Sequence, residues 1–171
     1  MKLVHVLRHA KSSWDDPNTD DRDRSLAPRG EEGARRIAKH MRRERVRPEM
    51  VLCSSSRRTR ETLELIRPAL SRRVAVLVEE EIYLAGGEQL LERLRRVPEA
   101  TASVMIIGHN PGVQQLVLTL ARRDDTVRRL ETKFPTGALA TLTFNDTTWQ
   151  DLRPATADLT GFVVPRDLAR R

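Results

Sequence analysis

The sequence predicts an α/β fold, a three-layer α/β/α sandwich with a mostly parallel central sheet and helices on both faces. Short apolar runs of strand length alternate with longer segments of helical periodicity. Each run breaks into a polar turn or straight into a helix start, which is how repeated strand–helix units read. The length of 171 residues suits one core, so residues 1–171 are taken as a single domain.

The elements follow in order. Residues 2–7 form a buried strand that ends at Arg8 and His9. An Asp-rich polar stretch over residues 12–25 reads as a long loop. Pro28 then opens a helix on which Ala34, Ile37, Ala38 and Met41 share one face. Residues 50–53 are a second strand, stopped by three serines. A helix over residues 57–70 buries Leu63, Ile66 and Leu70. Residues 74–78 form a third strand, and a helix after Gly86 and Gly87 carries Leu90, Leu91, Leu94 and Val97. Residues 103–107 form a fourth strand. Asn110 and Pro111 read as N-cap and first residue of a helix burying Val113, Leu116, Val117 and Leu120. Residues 139–144 and 149–152, flanking Asn145 and Asp146, read as a closing hairpin, with residues 162–164 as an edge strand or ordered tail.

Composition narrows the function. Hydrophobic residues make up 39% and charged residues 32%, the balance of a soluble globular chain. The opening residues are too soon interrupted by charge for a signal peptide, and no apolar run is long enough to span a bilayer. A cytoplasmic location with no membrane partner is therefore expected. One cysteine, Cys53, excludes an internal disulfide framework, and no zinc-finger spacing occurs. The net charge of +7 favours anionic partners. Nucleic acid fits poorly, because the basic residues sit beside acids and aromatics are only 4%.

Ligands of open α/β sheets bind beyond the carboxyl ends of the strands. This sequence places Arg8 and His9 after the first strand, the serines with Arg57 and Arg58 after the second, and His109 after the fourth. Guanidinium groups pair with phosphate oxygens, and a helix start adds N–H donors, so the inventory is that of a phosphate site. No P-loop and no dinucleotide-binding glycine pattern occurs. A cysteine-based phosphatase needs an arginine where Thr59 stands, which leaves Cys53 as a buried strand residue. No metal-ligand pattern accompanies the histidines, so neither metal nor cofactor is expected.

Three segments resemble the motifs of the histidine phosphatase superfamily. Leu7-Arg8-His9-Ala10 resembles its Arg-His-Gly signature; residues 54–62, Ser-Ser-Ser-Arg-Arg-Thr-Arg-Glu-Thr, its serine-led second motif; and Ile107-Gly108-His109-Asn110-Pro111 its third. The short chain, the Arg-His-Ala-Lys-Ser-Ser-Trp opening and the Asp-Arg-Ser-Leu segment before Arg29-Gly30 look most like the phosphohistidine phosphatase SixA branch. Ala10, Thr59 and Glu61 depart from the usual Gly, Ala and Gln; Ala10 raises the question of whether the backbone there needs a positive φ.

The resemblance implies a phosphoglycerate mutase-like fold and a metal-independent phosphatase with His9 as nucleophile, forming a phosphohistidine that water cleaves. Arg8, Arg58 and His109 would hold the phosphoryl oxygens, with Arg57 left on the rim. His9 must attack while neutral, which requires its other ring nitrogen to donate to a fixed acceptor; a backbone carbonyl of the following loop is expected. Mutase-like members carry a glutamate after the third strand, and Glu81 is the candidate general acid; a solvated acidic run at residues 79–81 is the competing reading. His5 reads as a satisfied core or interface histidine, and Trp14 as a residue over the pocket or on its rim. Imidazole leaves more readily than an alkoxide, and a chain this short has no room for a lid domain. A phosphorylated protein, carrying phosphohistidine, is thus the expected substrate. A small phosphorylated substrate, handled by a phosphomonoesterase or mutase with the same centre, is the alternative, and a non-catalytic phosphate- or nucleic-acid-binding module is a third.

Overall fold

A computed structural model describes residues 1–168. Six strands form one sheet in the order β3-β2-β4-β1-β5-β6. β1 (Lys2–Arg8), β2 (Met50–Ser54), β3 (Ala75–Glu79) and β4 (Ser103–Gly108) run parallel. β5 (Leu139–Phe144) and β6 (Asp158–Val163) are antiparallel, so the mostly parallel sheet carries an antiparallel edge. Alternate residues of each strand face opposite layers. Val4, Val6, Leu52, Val104 and Ile106 pack under α3 (Gly87–Arg95) and α4 (Gly112–Leu120). Leu7, Val51, Cys53, Met105 and Ile107 pack under α1 (Pro28–Arg43) and α2 (Arg57–Ile66). This is the expected three-layer arrangement.

β1 and β4 are buried along nearly their whole length, which is why their sequences read as continuous apolar runs. His5 is the polar residue in the interior of β1, between the terminal Lys2 and Arg8. It is buried, its Nδ1 lies 2.9 Å from Thr141 Oγ1, and burial pushes its pKa down to about 4. Its expected role as a satisfied core histidine fits this environment.

Four local expectations change. The helix expected over residues 57–70 ends at Ile66 and continues as a 3-10 turn, Arg67–Ala69, because Pro68 withdraws a backbone donor. The closing hairpin is not formed by residues 149–152. Trp149 is drawn into the core, where its Nε1–H donates to Thr101 O at 2.7 Å, and β5 pairs instead with β6. The edge strand expected near Phe162 is β6. α4 begins at Gly112 with Pro111 as N-cap, while Asn110 donates its side-chain amide to Phe134 O at 3.1 Å. An additional short helix, α5 (Asp125–Leu130), is capped by Asp124, whose carboxylate accepts from Val127 N–H at 2.8 Å.

α4 approaches the loop after the third strand so closely that a Cβ on Gly112 would lie 1.9 Å from Ala85 O. Alanine normally strengthens a helix relative to glycine. Here Gly112→Ala should destabilise by about 1–3 kcal/mol through overpacking and lower Tm by roughly 3–10 °C. A neutral or raised Tm in thermal unfolding would show that α4 is not held by this contact.

Candidate active site

Register builds the site. Leu7 and Ile107 are partners across β1 and β4, and Ile107 also pairs with Cys53 on β2. The next row is Arg8 opposite Gly108, with Ser54 following Cys53 on β2. Immediately beyond this row the chain delivers His9, His109 and, through the Ser56-capped start of α2, Arg58. His9, Arg58 and His109 are buried.

The two imidazole rings lie 5.3 Å apart between centroids. His9 Nδ1 is 2.7 Å from Ala10 O, so Nδ1 carries the proton and donates, leaving Nε2 with its lone pair exposed to the site. The expected loop carbonyl is thus that of the adjoining residue. Burial, together with the charges of Arg58, Arg8 and Arg24, pushes the His9 pKa down to about 4 against the opposing pull of the Ala10 bond. Ala10 does not adopt a positive φ, so alanine fits where glycine is usual.

Arg58 donates from Nη2 to His109 Nδ1 at 3.1 Å, and His109 Nε2 lies 2.7 Å from Ser54 Oγ. The donor at Nδ1 assigns the proton of the neutral ring to Nε2, which donates to Ser54. Burial and the neighbouring His9 and Arg58 charges push the His109 pKa down to about 3. Arg8 donates from Nη1 to Phe134 O at 2.8 Å, while burial and Arg58 lower its pKa. The segment after Phe134 ties back: Gly137, at φ +77°, donates its N–H to Arg8 O and His9 O at 3.1 and 2.9 Å.

The loop before α1 adds residues that sequence reasoning missed. An isolated bridge between Ser12 and Leu26 folds it back, and a 3-10 turn, Asp21–Asp23, brings Asp21 to Arg58. Arg58 Nη1 donates to Asp21 O at 2.7 Å and Nη2 to Asp21 Oδ2 at 3.1 Å. Arg24 Nη2 donates to Asp21 Oδ1 at 2.8 Å, and the Tyr83 hydroxyl donates to Asp21 Oδ2. Burial pushes the Asp21 carboxyl up, but bonds from Tyr83 and Arg58 and the two arginine charges outweigh it, holding it below the usual range. Buried Arg24 stacks on Trp14, whose ring is 3.5 Å from the guanidinium carbon. Trp14 is 73% exposed, so it stands over a buried cation. The signal in the sequence was Arg24 itself, an arginine inside a segment singled out only for its branch likeness.

Glu81 is not brought to the others. Its carboxylate lies 2.8 Å from Arg96 Nη2 and 3.4 Å from Arg93 Nε, and it makes no hydrogen bond to His9, Arg58 or His109. Arg57 is exposed and 3.5 Å from Glu61, as a rim residue should be. Cys53 is buried, and burial pushes its thiol up to about 12, so it is inert. Thr59 and Glu61 are structural: the Thr59 hydroxyl donates to Ser54 O at 2.8 Å, and Glu61 accepts from Leu26 N–H at 2.9 Å.

Arg8 Nε, Arg58 Nε, and Arg24 Nε and Nη1 are buried without a hydrogen-bond partner among the described residues. Unpaired buried donors are costly, and three arginines keep theirs beside two neutral imidazoles. Among the described residues no group of three or more His, Cys, Asp or Glu side chains could hold a metal ion, and no helix is long and apolar enough to cross a membrane.

Two buried histidines with Arg8, Arg24 and Arg58 nearby, at the carboxyl edge of a mostly parallel sheet, place the chain in the class of α/β folds that carry a phosphate-site inventory there. The chain belongs to the histidine phosphatase superfamily: it matches branch 1 of that superfamily over residues 4–83, and its fold is phosphoglycerate mutase-like. It is 34% identical to Rv1276c, an uncharacterised protein of Mycobacterium tuberculosis, over 94% of this chain and 100% of that one. A solved structure of a candidate phosphohistidine phosphatase SixA from Agrobacterium tumefaciens superposes with a TM-score of 0.81 at 30% identity, covering 96% of this chain and 98% of that one. A corresponding SixA candidate from Nakamurella multipartita gives 0.84 at 26% identity, with 96% of each chain covered.

Two outcomes follow from the histidine geometry. The kcat/KM of wild type, after division by the substrate's own ionisation, should stay flat from pH 7 to 5 and fall only as pH drops through about 4, where His9 gains its proton. An acid limb near 6.5 would mean that His9 titrates as it does in water. Ser54→Ala removes the acceptor of the His109 N–H and should cost about 1–3 kcal/mol, read as lower Tm and reduced kcat/KM; unchanged values of both would refute the assignment.

Proposed function

We propose that the protein is a metal-independent phosphatase that passes the phosphoryl group through His9 and takes it from phosphohistidine on a protein. The observation that carries this reading is the gathering of Arg58, Arg8 and Arg24, each near enough to depress the His9 pKa, about a ring whose Nδ1 is held by Ala10 O and whose Nε2 is left free. Guanidinium groups pair with phosphoryl oxygens, and phosphoryl transfer rests on positioning and charge.

On this reading the His9 Nε2 lone pair attacks phosphorus, and the bond from phosphorus to the leaving nitrogen breaks. Water then attacks the phosphorus on His9, restoring the imidazole and releasing inorganic phosphate. Arg8, Arg24, Arg58 and His109 hold the equatorial oxygens as charge redistributes. For His109 to donate from Nδ1, the ring gives up its Nε2 proton and gains one at Nδ1 by exchange with solvent, the Ser54 hydroxyl turns from acceptor to donor at Nε2, and Arg58 Nη2 releases Nδ1 and turns to the phosphoryl oxygen.

The leaving group follows from the acids. Glu81 is engaged by Arg93 and Arg96, and Asp21, facing Arg58, is ionised. Neither is poised to protonate an alkoxide. A phosphohistidine whose distal ring nitrogen already bears a proton departs as neutral imidazole and needs no donor from the enzyme.

The test is hydrolysis of p-nitrophenyl phosphate and of a histidine-phosphorylated protein with and without EDTA, for wild type, His9→Ala and Arg58→Ala. Turnover should resist chelation. It should vanish in His9→Ala and fall by about 100-fold or more in Arg58→Ala. Acid-labile label on His9 should appear in a rapid quench. Loss of activity on chelation defeats the metal-free mechanism, and release of phosphate from sugar phosphates alone defeats the protein substrate.

A further inference from the structure

Many surface arginines carry a carboxylate within ion-pair reach, as Arg35 does with Glu31, Arg67 with Glu64 and Arg122 with Asp158. One cleft departs from this habit. A cavity of about 610 Å³ opens between the start of α1, the end of α5, residues 135–137 and α6 (Pro165–Leu168). Lys11, Arg29, Arg129, Lys133 and Arg166 ring it. No ion pair engages any of these five among the described residues. Arg36, paired with Glu32, and Asp167 complete the charged lining. Six cations thus face two carboxylates, a surplus of four in a chain whose net charge is +7. The floor is apolar, formed by Leu130, Phe162, Val164 and Pro165.

The cleft shares a wall with the catalytic centre. Ala10 lines it and also accepts the His9 Nδ1 proton; Gly137 lines it and donates to His9 O. Lys11 is two residues from the nucleophile. His9 itself does not line the cleft, so a segment seated here meets the wall behind His9 and extends past it to present a side chain at Nε2.

We propose that this cleft docks an acidic segment of the phosphoprotein that presents its phosphorylated side chain to His9. The inference rests on the protein-phosphatase reading above and names the partner's chemistry. The volume exceeds what a lone phosphate needs and suits several side chains. Unpaired cations beside an apolar floor match a segment of glutamates or aspartates with an interspersed aliphatic residue. The rim charges steer its approach and the floor holds it. A simple polyanion meets the rim and leaves the floor uncovered.

The experiment has two arms, both with the full chain and with the double variant Arg29→Glu/Arg129→Glu. These two residues are exposed and lie outside the catalytic set; glutamate suits position 29 at the start of α1, and because Arg129 sits in the last turn of α5 the Tm of the variant is checked alongside. In the first arm, fluorescence anisotropy follows a labelled unphosphorylated Glu- and Leu-containing peptide. Wild type should bind it at least tenfold more tightly than the variant, and raising salt from about 20 to about 300 mM should erase most of the difference. Equal binding overturns the proposal, as does a duplex DNA oligonucleotide outcompeting the peptide at equal charge. In the second arm, a phosphohistidine peptide with glutamate flanks is compared with one flanked by glutamine. Wild type should favour the acidic peptide by about tenfold in kcat/KM. The variant should show no preference and keep full turnover of p-nitrophenyl phosphate. Equal turnover of both peptides by wild type overturns the docking proposal and leaves the phosphatase standing. If neither peptide is hydrolysed while p-nitrophenyl phosphate is, the protein-phosphatase reading fails, and the anisotropy arm alone decides whether the cleft takes an acidic segment.

Discussion

The site depends on keeping two imidazoles neutral while burying them among three guanidinium groups. A charged histidine here would meet both the loss of hydration and the repulsion of Arg8, Arg24 and Arg58. His5 provides an internal contrast. It is buried in the same strand as Arg8, is satisfied by Thr141, and owes its lowered pKa to burial alone. His9 and His109 experience burial plus cations, so neutrality in the site is maintained from two directions. Each arginine has a local acceptor: Phe134 O for Arg8, and Asp21 for Arg24 and Arg58. Those acceptors take only some of the donors; Arg8 Nε, Arg58 Nε, and Arg24 Nε and Nη1 stay unpartnered among the described residues.

That balance requires a rigid frame, and the frame comes from strand register and close backbone contacts. The row of Arg8 and Gly108 fixes the height at which both histidines leave the sheet. His9 is further pinned by its own N–H donating to Gly108 O at 3.1 Å and by the Gly137 N–H at its carbonyl. The loop carrying Asp21 and Arg24 lacks this support from the sheet. It is held by the Ser12–Leu26 bridge and by Glu61 at Leu26 N–H, so a departure from the usual family residue on α2 anchors the loop that completes the cradle.

Arg8, His9 and His109 could be read as site candidates because they lie at the ends of apolar runs, and strand ends are where such folds bind ligands; Arg58, four residues past Ser54, was chosen over Arg57 by its place in the resembling motif. The features that were not legible depend on distant partners. Arg24 enters the site only because residues 12–26 close on themselves, which the polar composition of that stretch does not reveal. Glu81 is turned by Arg93 and Arg96, a helix away in sequence, and nothing in the run of three glutamates indicates that choice. Trp149 sits in the core under a bond to Thr101, so its segment looks like a strand by composition but serves as a plug between β5 and β6. Period and turn chemistry locate elements; they do not say which of two elements will capture a long side chain.

The lowered basicity of His9 bears on the direction of the chemistry. A less basic imidazole is a weaker nucleophile, but it is also a better leaving group once phosphorylated, because less proton affinity is needed to expel it. On the phosphatase reading, the cations that weaken the first step therefore hasten the second. They also recover part of the loss in the first by drawing the phosphoryl oxygens into place. A phosphocarrier has the opposite need, a long-lived phosphohistidine, and is better served by an exposed, more basic ring. A buried His9 with a pKa of about 4, crowded by guanidinium groups, suits an intermediate that breaks down to inorganic phosphate rather than one that stores it.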